Sequence, residues 1–228
     1  MDSFAQAWKL VTSLDRELLQ ILGVTMRMSL CSTAISCCIG LPLGALLGTR
    51  RFRGKSLIKR ILHTLMGLPP VVAGLVVYML FTHYGPLGKL NMLFTVRVMV
   101  VAQCLLITPV VTALTASFIE TQARPVIDTA RGLGLSPGRT LGLCLSESRG
   151  GLVSVALNAF GRSIAEVGAV SIVGGNIQWK TRVMTTAIML ETNKGKFSFA
   201  LALGIILLAI AFVVNVAASF LTKEPADG

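Results

Sequence analysis

Charge is scarce in this chain: charged side chains make up 14% of its 228 residues, and only ten of them are acidic. Histidine occurs twice, as the isolated His63 and His83. No Ser/His/Asp set, no paired carboxylates and no metal-ligating cluster can be assembled from so few groups, so neither catalysis nor a metal site is expected in this polypeptide. A Gly-x-x-x-x-Gly-Lys-Ser/Thr loop that could cradle phosphates is also missing; the chain is therefore not its own ATPase. The five cysteines (Cys31, Cys37, Cys38, Cys104 and Cys144) are odd in number and mostly sit inside apolar runs. Their spacing suits neither zinc nor a redox pair, and they read as small hydrophobes. Aromatic residues amount to 6%, and Phe52 alone accompanies the densest basic cluster. A nucleic-acid surface needs stacking platforms or a reading helix beside its charge, so nucleic acid is not an expected partner. The first 17 residues lack a basic region ahead of a short apolar core, and no signal peptide is expected. There is no internal repeat and no Pro-, Gly- or Ser-rich linker, so one membrane domain over 1–228 is expected. That counts against carriers built from paired repeats.

What the chain does have is apolar length. Hydrophobic residues make up 54%, and runs of 22 to 25 residues fall at 26–47, 61–82, 96–118, 150–173 and 197–221. Helices of that length reach ~33–37 Å, enough to cross a hydrocarbon layer of ~30 Å. The reading is an all-α membrane protein with five transmembrane helices, spanning about 18–47, 57–83, 95–120, 148–173 and 197–222. Ahead of them Phe4, Trp8, Val11, Leu14 and Leu18 recur at helical spacing, which predicts an amphipathic helix over 3–16 lying in the outer interface. Helix breakers stand near the middles of spans two and three, at Gly67-Leu68-Pro69-Pro70 and Thr108-Pro109. They are either bending points facing a pathway or packing kinks. Ala73 and Gly74 are small enough to let another helix approach closely.

The net charge of +11 is concentrated between spans, most densely at Arg50, Arg51, Arg53, Lys55, Lys59 and Arg60. The positive-inside bias puts this first loop in the cytoplasm. The amino terminus and the 174–196 loop are then outside, and the 119–149 segment and carboxyl terminus inside. With five spans and no repeat, a symmetric pathway needs a second copy of the chain, which predicts a homodimer surrounded by membrane lipid.

Three features stand out against this background. On the cytoplasmic side a short helix is predicted over 125–135, with Pro125 at its first position, Asp128 in its first turn, and Gly134 or Gly138 as its stop. Its stripe of Val126, Ala130 and Leu133 could dock into a partner groove or pack on its own bundle. Within span four, Arg162 and Glu166 are charged residues at membrane depth, four apart, so a continuous helix would let them pair. Either the pair fixes helix packing, or Arg162 borders an anion's route with Glu166 partly neutralising it. Outside, the 174–196 loop carries Lys180, Arg182, Lys194 and Lys196 against Glu191. It is an electropositive vestibule or an ordinary solvated loop. Asn176, Thr185 and Thr186 are able to donate neutral hydrogen bonds to an oxyanion.

The run Asp128-Thr129-Ala130, with Gly134 four residues on, resembles the Glu-Ala-Ala…Gly loop of permease subunits of binding-protein-dependent ABC importers. Asp128 and Thr129 replace the commoner Glu and Ala, and Ser146 stands where that family often has proline. The stretch Asn158-Ala159-Phe160-Gly161-Arg162-Ser163-Ile164-Ala165-Glu166-Val167-Gly168, followed by Val173-Gly174-Gly175-Asn176, is similar to oxyanion permeases. Thr181-Arg182-Val183-Met184-Thr185-Thr186, Gly85-Pro86-Leu87-Gly88, Gln103 and Leu68-Pro69-Pro70 look closest to their tungstate branch. The resemblance implies the type I importer permease fold, in which a coupling helix (here Val126, Asp128, Thr129, Ala130, Leu133 and Gly134) seats in an ATP-binding subunit. It also implies a bacterial cytoplasmic (inner) membrane location, a homodimer, two copies of that cytoplasmic subunit binding ATP and Mg, and a periplasmic or surface oxyanion-binding protein. Tungstate is the expected cargo, with molybdate or another tetrahedral oxyanion as the alternative. An ATP-independent carrier is the reading from a different class, but it leaves the 125–135 helix without a purpose.

Overall fold

The computed structural model describes residues 2–13, 15–50 and 52–222, so Leu14, Arg51, Lys223 and the cytoplasmic carboxyl terminus expected from the sequence lie outside the described residues. Among these the chain is helical throughout: α1 (Asp2–Thr12), α2 (Arg16–Thr49), α3 (Lys55–Met66), α4 (Pro70–Phe81), α5 (Val96–Gln122), α6 (Arg124–Gly132), α7 (Pro137–Glu147), α8 (Arg149–Ile164), α9 (Gly168–Gly174), α10 (Met184–Asn193) and α11 (Phe197–Thr222). Three helices are long and apolar enough to cross a membrane, Arg16–Thr49, Val96–Gln122 and Phe197–Phe220. The bent pair α3 and α4 adds a fourth crossing if its halves are counted together. Of the five spans expected from hydropathy, three are continuous helices and a fourth is the bent pair. The stretch expected to span over 148–173 is divided between α8 and α9, so the structure gives three spans, or four with the bent pair, in place of five.

The core is the pairing of α2 with α5. Asp15 starts α2 by accepting the Glu17 and Leu18 amides at 2.9 and 3.2 Å, which satisfies donors that a helix end leaves open. Gly40, Gly44 and Gly48 then fall one turn apart on the face turned to α5. A Cβ added at Gly40 would lie 2.8 Å from Val111 Cγ1, at Gly44 2.5 Å from the Thr112 carbonyl, and at Gly48 2.9 Å from Ile119. Backbones approach this closely in membrane bundles because small residues permit it. Residue number rises together on both helices, so α2 and α5 are parallel. The α3–α4 pair must therefore return the chain to the other end. It does: Lys55 reaches Glu120 at one end of α5, and Phe81 shares a core cluster with Val98 at the other.

The pair bends by 96°, at the Gly67-Leu68-Pro69-Pro70 breaker. Pro70 has no amide to donate and begins α4 at a position where none is needed. The second expected breaker does not break: α5 runs unbroken through Pro109. Instead the chain breaks within expected span four, at residues 165–167 between α8 and α9. The two pieces together still follow α5 end to end, from Gly151 against Phe118 to Gly174 against Met99.

The outer segments also differ from expectation. α1 lies at the periphery, with Trp8 61% exposed, but Ala7 is fully buried against α2 and α11. The segment expected as the 174–196 loop folds inward. The Met184 amide reaches the Thr25 hydroxyl at 3.0 Å, well below the start of α2. From there α10 climbs back, packing Ala187 with Leu18 and Ile21. The apolar run Val183, Met184, Ala187 explains why this segment does not stay in water: all three are fully buried.

Candidate functional site

The two helix breaks meet. Gly74 of α4 packs on Ala169 of α9 so closely that an added Cβ would lie 2.7 Å from the Ala169 Cα, and Gly168 abuts Val71. α9 is thus the helix for which Ala73 and Gly74 leave room. Each break leaves carbonyls or amides without helical partners, and the charged residues singled out in the sequence go to them. Arg162 Nη2 donates to the Met66 carbonyl at the end of α3 (3.3 Å). Glu166 Oε1 accepts the Ala169 amide at the start of α9 (3.3 Å). The expected Arg162–Glu166 pair is not made among the described residues. The physical reason is that α8 ends at Ile164, so the four-residue spacing no longer describes one helical face. Arg162 is exposed, and Glu166 is half-buried.

The hydrogen-bond donors expected for an oxyanion are engaged within the chain. Thr185 Oγ1 donates to the Glu166 carbonyl at 2.8 Å, which ties α10 to the break. Thr186 Oγ1 reaches Asn176 Oδ1 at 3.0 Å, and Asn176 Nδ2 returns to the Thr186 carbonyl at 3.3 Å. These side chains fix the inward fold of α10 in this conformation. Arg182 is not a vestibule cation either: it is 8% exposed, and its Nη1 pairs with Glu17 at 3.1 Å. Lys180 and Lys196 are exposed, and Lys194 pairs with Glu191 at 2.9 Å. The positive charge of the outer segment therefore resides in lysines around a folded, buried turn.

At the other end, α6 occupies 124–132, close to the expected 125–135, and Gly134 rather than Gly138 ends it with φ +68°. The Leu135 amide returns to the Ala130 carbonyl at 3.0 Å across that glycine, a capping arrangement that only a left-handed residue closes easily. The expected stripe divides. Ile127 is buried against Ala45, Ile119 and Cys144, with Val126 packed beside them, and Ala130 is buried as well. Leu133, beyond the last helical residue, is 73% exposed, and Asp128 and Thr129 are exposed as well. Of the six residues expected to meet a partner, Asp128, Thr129, Leu133 and Gly134 are exposed. Behind α6, Glu120 takes Lys55 at 2.7 Å and also Lys59. Lys55 and Glu120 line a polar cavity of about 170 Å³ with Arg124 and Asp128. Two of the six basic residues expected to set orientation thus hold α3 to the end of α5.

Sequence reasoning missed Gln103 as a structural centre. It is fully buried, and its Oε1 accepts from Ser32 Oγ (2.6 Å) and Ser163 Oγ (2.9 Å). Its Nε2 donates to the Ser163 carbonyl at 2.8 Å. A glutamine in an apolar run between two serine-bearing helices was the available signal.

The comparisons agree with this architecture. The family described as binding-protein-dependent transport system inner membrane component matches residues 40–224. A tungstate uptake system permease protein of Peptoclostridium acidaminophilum is 35% identical, covering 98% of each chain. A second tungstate uptake permease, from Campylobacter jejuni, is 39% identical over 94% of this chain and 90% of its own. A probable anion ABC transporter permease of Haloferax volcanii is 38% identical over 91% and 92%. A sulfate permease of Escherichia coli, at 26%, stands further off.

Proposed function

Because the chain belongs to the family of inner-membrane components of binding-protein-dependent transport systems, we propose that it is the permease subunit of an ATP-driven importer of tungstate. The observation that carries the substrate is the end-to-end likeness to two proteins named as tungstate uptake permeases. In this reading two copies form the pathway in the cytoplasmic membrane, amino termini outside. Two cytoplasmic ATP-binding subunits supply ATP and Mg, and an oxyanion-binding protein delivers the cargo from the outer side. Arg162 supports the homodimer. An exposed guanidinium at membrane depth costs at least ~2.5–3.5 kcal/mol in lipid, so protein or water must cover its face.

Within the dimer Arg162 borders the anion's route. It is held by one carbonyl at 3.3 Å, so its remaining donors are available to a tetrahedral oxyanion, and a guanidinium presents them in a planar fork. Weak anchoring suits transport, since a site must release what it binds. α6 receives the ATPase. Its inner face is packed on α2 and α5, so displacement of α6 passes to both long helices, and through Glu120 with Lys55 and Lys59 to the bent pair.

The test is reconstitution. The chain should co-purify with an ATP-binding subunit, and tungstate with its binding protein should stimulate ATP hydrolysis. Arg162→Gln should abolish uptake while the complex still assembles. Failure to bind any ATPase overturns the class, a clear preference for molybdate overturns only the cargo, and normal uptake by Arg162→Gln removes Arg162 from the route.

A further inference from the structure

We infer that Gln103 is a positioning residue that keeps the α8–α9 break open and so keeps Arg162 apart from Glu166. The inference rests on the reading of Arg162 as part of the anion's route. Ser32, Gln103 and Ser163 are each fully buried and come from α2, α5 and α8. Ser32 Oγ also lies 2.9 Å from Ser163 Oγ, which closes a three-way cluster. Buried polar groups away from water need partners, and a cluster in which each side chain finds one favours one arrangement of the helices that carry it.

The decisive contact is Gln103 Nε2 to the Ser163 carbonyl. In a continuous helix the amide of Val167 would bond that carbonyl, four residues back. Here the helix ends at Ile164, the Glu166 amide makes only a longer 3.3 Å contact to the Ser163 carbonyl, and the glutamine from α5 supplies a shorter bond. The carboxamide thus replaces a helical hydrogen bond and favours the broken form over the straight one. The choice has an electrostatic consequence. With the break, Arg162 goes to the Met66 carbonyl and Glu166 to the Ala169 amide. Without it, the two charges stand at i and i+4 on one face and pair, and the guanidinium offered to the anion is neutralised. Gln103 acts through Arg162 and does not itself touch the anion.

Removing Glu166's charge should therefore rescue the loss of Gln103, which a purely structural role would not allow. In the complete importer reconstituted with its ATPase and binding protein, Gln103→Met should lower tungstate uptake about tenfold. Glu166→Gln, which keeps an oxygen for the Ala169 amide, sets the reference level against which the double variant is read. The double variant should recover most of the loss. Ser163→Ala, which keeps the carbonyl, should retain more than half of the uptake. If the double variant stays as poor as Gln103→Met, or Ser163→Ala falls equally far, the inference is overturned. Should Gln103→Met not accumulate in membranes, Gln103→Asn, one methylene short of the Ser163 carbonyl, takes its place with the same expectations. Normal uptake by Arg162→Gln would instead fault the route itself, so the two failures are distinguishable.

Discussion

The pairing of Arg182 with Glu17 shows what a single residue does here that its sequence position hides. Arg182 stands in the most basic outer stretch, and its charge suggests an open vestibule. The folded chain buries it to 8% exposure, donates its Nη1 to Glu17, and leaves its Nε buried without a partner among the described residues. Gln178 Nε2 also donates to the same Glu17 oxygen at 2.9 Å, so one carboxylate anchors the whole turn to the start of α2. Taking away the acid strands a buried guanidinium, whereas replacing both charges removes the problem. Glu17→Ala should therefore destabilise the purified chain by about 2 kcal/mol, and Glu17→Ala with Arg182→Met should recover much of it. Thermal unfolding in detergent measures both. If the two variants unfold alike, the pair does not anchor the turn. At this scale the sequence identified the unusual charges, Arg162, Glu166 and Arg182, but not their partners. Spacing rules name a partner only while the helix continues, and Glu17 is 165 positions away from Arg182.

Elements were legible wherever hydropathy and length acted alone. The runs that became α2, α5 and α11 are single helices near their expected bounds. The runs around residues 67–70 and 165–167 became broken pairs, and only the first carries a proline to announce it. Conversely Pro109 sits inside an unbroken α5, since a membrane helix tolerates a proline when its surroundings re-satisfy the freed groups. A local breaker signal therefore does not decide on its own; what a break can pack against decides. The α2–α5 seam is the clearest case of packing legible only after folding, because the glycine spacing became meaningful once α5 was seen beside it. Gly44→Val should separate the helices, at a cost of about 2–3 kcal/mol, because an added Cβ there would meet both the Thr112 carbonyl and Thr115. Gly23→Ala on the same helix meets nothing within 4 Å and should be neutral or stabilising by up to ~1 kcal/mol. Melting temperatures of the two variants decide it. Equal destabilisation would mean that glycine matters for α2 generally and not for this seam.

For the whole molecule, the arrangement of α6 turns a packing observation into a claim about assembly. The helix is fastened to the long helices by Ile127, with Val126 beside it, and beyond its end it presents Leu133 to the outside. A large apolar side chain 73% exposed beside a charged surface is poor for solubility and suited to a partner's pocket. The sequence placed Val126, Ala130 and Leu133 on one docking face, but Gly134 ends the helix one turn early and turns Leu133 away from the buried pair. The two sides of α6 should therefore fail differently. Leu133→Asp should leave the melting temperature of the isolated chain unchanged and weaken association with the ATP-binding subunit at least ~tenfold. Ala130→Asp, which forces a carboxylate into a position that is 1% exposed, should lower the stability of the chain itself before any partner is added. Co-purification and melting curves on the two variants separate the roles. Normal recovery of the ATPase with Leu133→Asp would move the docking surface off this end of the helix. In that case, Asp128 and Thr129 would be the exposed α6 side chains to test next.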